Sequence, residues 1–105
     1  SGGAVTQLTD KSTAVTLDKL CGEITTHNAQ LAGHAAVSFQ LNNTFIAATD
    51  FVMAHHESGG TIGHYNVHTS TTAAGHCHIV IESIDTGNLS EALVIRFFVL
   101  KSAVA

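Results

Sequence analysis

Apolar and polar residues alternate along this chain in short runs separated by Gly, Asn, Asp and Ser. A two-residue period puts successive side chains on opposite faces of an extended strand, and the 3.6-residue period of a helix is almost absent. The alternation predicts strands at residues 4–8, 14–17, 21–26, 34–41, 50–56, 65–70, 76–83 and 92–100. In 34–41 the two faces separate cleanly, with Ala35, Val37, Phe39 and Leu41 on one side and His34, Ala36, Ser38 and Gln40 on the other. Two runs are nearly continuous in apolar residues, Phe51-Val52-Met53-Ala54 and the closing Leu93-Val94-Ile95-Arg96-Phe97-Phe98-Val99-Leu100. Such runs predict strands covered on both faces, the second of them central in its sheet. About eight strands at spacings near ten residues, without a proline, predict a two-sheet antiparallel β-sandwich, jelly-roll-like, in a single domain over residues 1–105.

The strongest alternation coincides with four of the eight histidines, between His64 and Glu82. Treating residues 71–75 as a five-residue hairpin loop carrying Gly75 sets a register in which Ser70 faces His76 and His68 faces His78. One face then collects Tyr65, Val67, Cys77, Ile79 and Ile81, and the other His64, Asn66, His68, His76, His78 and Glu82. His76 and His78 share one side of a strand, and His68 across the ladder would complete a three-nitrogen site suited to zinc or another divalent metal. Because these histidines lie opposite the apolar face, the plainer reading is a polar surface or a subunit contact. The same stretch partly matches the cupin signature, with Glu82 at the expected distance after His76-x-His78. The expected glycines fall on Ser70 and Leu89, however, and a second motif is missing.

Other candidate chemistry is thinner. His55 and His56 are adjacent on a strand and face opposite ways. Gly59, Gly60 and Gly63 precede neither a helix nor a lysine, as a phosphate loop would require. The carboxylates Asp10, Asp18, Asp50, Glu57, Asp85 and Glu91 are scattered over turns and strand ends. Cys21 and Cys77 sit in strand patterns as small apolar residues, so free buried thiols are expected ahead of a single disulfide. No catalytic residue or cofactor emerges, and the expectation is a non-enzymatic protein.

Composition narrows the partners. Charged residues make up only 11% of the chain against roughly 25% in ordinary domains, which favours close subunit contact and a homo-oligomer. Four Lys and Arg against eight Asp and Glu, without a basic cluster, argue against nucleic acid. No apolar run reaches the roughly 20 residues that span a bilayer, and the first residues lack the pattern of a signal peptide, so no membrane partner is expected.

Across nearly its whole length the chain resembles a small β domain of tailed-bacteriophage and prophage virion structural proteins, of tail-fibre, neck or decoration type. The resemblance is carried by Gly3-Ala4-Val5-Thr6-Gln7 with Lys11-Ser12-Thr13-Ala14-Val15-Thr16-Leu17, and by Cys21-Gly22-Glu23-Ile24-Thr25. It continues in Ala47-Ala48-Thr49-Asp50, Ser58-Gly59-Gly60-Thr61 and Leu89-Ser90-Glu91-Ala92-Leu93-Val94-Ile95. It implies a virion component assembled in the bacterial host cytoplasm as a symmetric homo-oligomer, with a trimer favoured, in contact with other virion proteins. Two further readings stand beside it. One is a module that binds a host surface glycan or receptor through loops 58–63 and 85–88, and the other is a histidine metal-binding protein.

Overall fold

The structure is a computed structural model that describes residues 2–102. Its eight strands are β1 (Gly3–Thr6), β2 (Val15–Thr16), β3 (Cys21–Thr25), β4 (Ala36–Asn42), β5 (Phe51–Ser58), β6 (Tyr65–Ala73), β7 (His76–Ser83) and β8 (Val94–Leu100). They form two four-stranded sheets in the orders β1-β3-β8-β5 and β2-β4-β7-β6. Successive strands alternate between the sheets, except for the β6–β7 hairpin, so each crossing connection staples the layers together. The predicted β-sandwich is therefore present, with one difference. β1 runs parallel to β3 and β2 parallel to β4, which makes both sheets mixed rather than purely antiparallel. Both early strands are short and lie at a sheet edge, where the alternation alone carries no information on direction. No described residue belongs to a helix long and apolar enough to cross a membrane.

Each strand commits alternate side chains to one shared apolar layer. Phe39 and Leu41 from β4, Cys77, Ile79 and Ile81 from β7, Ile24 from β3, Val52 from β5, and Ile95, Phe97 and Val99 from β8 are all buried there. Leu31, Ile46 and Leu93 close the layer from the loops. Fully burying side chains of this size stabilises the fold by roughly 1.5–3 kcal/mol each before the entropy of ordering is counted.

Three departures from the predicted elements have local causes. His34 sits in a left-handed turn with φ of 58°, its N–H bonded to the Asp85 carbonyl, so β4 begins at Ala36 rather than at residue 34. Leu93 is held by Thr26, which donates its N–H to the Leu93 carbonyl and accepts the Leu93 N–H on Oγ1, so β8 begins at Val94. The β6–β7 turn is tighter than five residues. Gly75, at φ of 86°, donates its N–H to Ile46 and accepts the N–H of Asn43, which ties the hairpin tip to the neighbouring loop. β6 consequently continues to Ala73 through a bulge containing Thr71, whose φ is 53°.

The loops are fastened by two lysines. Lys11 is buried, and its ammonium donates to the carbonyls of His27, Ala29 and Glu91 at 2.5, 2.7 and 2.6 Å. Desolvation lowers its pKa from the ordinary lysine value, partly offset by Glu91. At the opposite end of the chain Lys101 donates to Asp50 and to the carbonyl of Phe45.

Removing the Lys11 ammonium would strand three carbonyls in a closed site. Lys11→Met is expected to lower the unfolding free energy by about 3 kcal/mol, seen as a lower denaturation midpoint at unchanged m-value. The Asp50 carboxyl is held at about 2, below the ordinary 3.8, by the Lys101 ammonium first and then by the N–H groups of Ala47 and Ser102. Because the folded-state pKa is depressed, its contribution is present above 3.8 and is lost as pH falls through about 2. Asp50→Asn should remove that limb from an acid-unfolding curve followed by circular dichroism.

Candidate functional site

The period-2 pattern that fills the core also defines two outer faces. On the β2-β4-β7-β6 sheet the outer face carries Ser38, Gln40 and Asn42 of β4, His76, His78, Val80 and Glu82 of β7, and Asn66, His68 and Ser70 of β6. The histidines thus lie opposite the apolar layer, as the sequence predicts. Their pairing differs. The shorter turn moves the register by two residues, so His68 faces Val80, and Ser70 faces His78. A slip of two preserves every side chain's face and changes only its neighbours.

That slip takes the proposed triad apart. His76 and His78 remain close, edge to face with ring centroids 6.0 Å apart. His68 instead leans toward Glu82, its Nδ1 3.9 Å from Oε1. Among the described residues no group of three or more His, Cys, Asp or Glu is placed to hold a metal ion. His76, His78 and Glu82 also project away from the filled interior, opposite to the direction that cupin ligands take.

At one end of the sandwich the loops meet in a polar network that the sequence did not single out as a unit. Glu91 accepts the Thr61 N–H at 3.0 Å, the Thr61 hydroxyl at 2.8 Å and the Tyr65 hydroxyl at 2.8 Å. These bonds hold its carboxyl below the usual range, the Thr61 hydroxyl contributing most, while burial first and then Glu91 raise the Tyr65 phenol. His64 Nδ1 lies 2.5 Å from Asp85 Oδ2, which joins the 58–63 and 85–88 loops. Gly59 and Gly60, both at positive φ, let the chain pass over Ala92 and Leu93, where a Cβ on Gly60 would come within 2.5 Å of the Leu93 side chain. Spacing alone could not reveal this cluster, because its bonded partners lie 21 to 30 residues apart.

The outer face of the β1-β3-β8-β5 sheet is of a different kind. β5 and β8 predict as doubly covered strands, yet in this chain each is covered on one face only. Phe51, Met53, Phe98 and Leu100 are 58, 49, 44 and 56% exposed. The register sets Phe51 beside Leu100 and Met53 beside Phe98, with Cys21 on the far side of Phe98. A shallow hollow of about 280 Å³ opens between Met53, Phe98, Cys21 and Arg96. The next row is charged. Arg96 Nε donates to Glu23 Oε2 at 2.7 Å, its Nη1 lies 3.3 Å from Glu57 Oε2, and His55 Nε2 lies 2.8 Å from Glu57 Oε1.

The cysteines divide between the two environments. Both are free thiols, but only Cys77 is buried, and burial pushes its pKa up to about 11. Cys21 is exposed, a correction to the expectation of two buried thiols, because position 21 opens β3 on the outer face.

No family model, curated protein or solved structure matches the chain.

Replacing Glu91 by Gln keeps the oxygen that accepts from Tyr65 and from the Thr61 N–H but removes the one that accepts the Thr61 hydroxyl, which loosens the turn at Thr61. The expected result is amide exchange at Thr61 roughly tenfold faster, measured by NMR, with exchange in β7 and β8 unchanged.

Proposed function

We propose that this chain is a non-enzymatic structural module that acts by association, as a component of a tailed-phage virion. The observation that supports association is the exposed apolar face over β5 and β8. Four half-exposed side chains, aromatic ones of which bury roughly 150–250 Å² each, present on the order of 400 Å² of apolar surface. That falls within the roughly 300–600 Å² of the largest patch on typical monomers, a size often tied to function. The charged row beside it supplies the polar rim that such patches have at interfaces. The low charge of the chain agrees with this reading, and the virion context rests on the sequence resemblance.

In this assembly the β5–β8 face serves packing, and the converging 58–63 and 85–88 loops are left at one end. A host glycan or receptor would be met there, where Ile62 and Ile84 stand exposed.

The test of the virion role is physical location. An antibody raised against the purified domain should label gradient-purified particles of the phage or prophage that encodes the chain. Label confined to the soluble fraction of the lysate, with none on particles, would refute it.

A further inference from the structure

The apolar face needs an occupant, and we infer that it is a second copy of this chain, packed sheet against sheet over β8 and β5. This rests on the association reading and names its partner. Area gives the scale. A standard interface buries about 800 Å² per partner, of which some 56–58% is apolar, so roughly 450 Å² of apolar surface is needed. The row of Phe51, Leu100, Met53 and Phe98 provides nearly that.

Charge bears on the partner's identity. Arg96 is the chain's only arginine, and it is already held between Glu23 and Glu57. Each charge in the row already has a partner within the chain, so the face presents no lone cation or anion to select an oppositely charged protein. Shape points the same way, because the face carries both a ridge, Phe51 with Leu100, and a hollow, the 280 Å³ depression beside Phe98. At about 280 Å³ the hollow is at the small end of ligand pockets, a size that a protruding side chain of the second copy fills. Two such faces stacked about 10 Å apart would repeat the packing that joins the two sheets inside each chain.

The sheet edges are poor alternatives. β1 and β2 are four and two residues long, and β5 and β6 carry bulges near His56 and Ser70. The Thr69 hydroxyl donates to the Val52 carbonyl at 2.5 Å, so the edges of β5 and β6 are also tied to each other. Short, bulged and tied edges resist strand addition, which leaves the face.

The experiment combines mass with a probe inside the face. Sedimentation equilibrium of the wild-type chain should give a dimer at low micromolar concentration, because two identical faces stacked on each other close with two-fold symmetry. Met53→Glu and Phe98→Glu should each raise the dissociation constant at least a hundredfold. Both side chains are half exposed, so thermal melts of the two variants should remain cooperative. Cys21 reports the face directly. Its reaction with a disulfide reagent should be at least tenfold slower in the oligomer than in either variant, with Cys77 silent in all three. An oligomer in which Cys21 reacts at the variants' rate would refute this face while leaving association intact. A monomer at high micromolar concentration, from a chain that antibody detects on particles, would show that another virion protein occupies the face. A monomer with no label on particles would overturn this inference and the virion role together.

Discussion

Everything in this fold follows from how each strand divides its side chains between one shared apolar layer and the outside. Ile24, Phe39, Leu41, Ile79, Ile81 and Ile95 are almost wholly removed from water, and they come from four strands in two sheets. Because side-chain direction alternates strictly along a strand, filling that layer also decides what the outer faces carry. The two outer faces differ in kind. β4, β6 and β7 turn out Ser, Asn, Gln and His, whereas β5 and β8 turn out Phe, Met and Leu. One sheet is finished by water, and the other is left with apolar surface that water does not stabilise.

The loops are governed by polar groups removed from water. Lys11 gathers carbonyls from two segments, His27 to Ala29 and Glu91, that are far apart in sequence. Glu91 in turn fixes Thr61 and Tyr65 through its side chain, while its carbonyl accepts from Lys11. Through this one residue the early loop, the glycine loop and the entry to β8 become a single polar assembly. Its geometry is demanding, since a buried ammonium or carboxylate is tolerated only when its partners are all in place.

Much of this was legible in the sequence, for a definite reason. Strand existence and facing depend on a local two-residue period, and all eight predicted strands are present with the buried faces expected at Phe39, Leu41, Ile79 and Ile81. Register depends on turn length, and turn length here depends on Gly75 meeting Asn43 and Ile46, a contact across some 30 residues. Hence His68 was placed on the correct face and beside the wrong partner. The Lys11 and Glu91 contacts span up to 80 residues and follow no period, so nothing local announced them. The parallel pairing of β1 and β2 was hidden for the same reason.

The apolar runs in β5 and β8 mark where the sequence pattern and the structure of the single chain disagree. A strand apolar on both sides asks for cover on both sides. Within one chain the inner side of β8 receives it from the opposite sheet, while Phe98 and Leu100 on the outer side do not. Met53 and Phe51 stand beside them in register, so the uncovered residues form one continuous row rather than scattered exposures. Scattered exposed apolar side chains are ordinary and need no account, but a contiguous row on a central strand is another matter. The pattern was therefore right for the inner sides of β5 and β8 and wrong for their outer sides, which the chain leaves exposed. The fold does not cover this row from within, and the charges at its border are paired inside the chain, so the outer side of β8 is where the apolar pattern and the single chain part company.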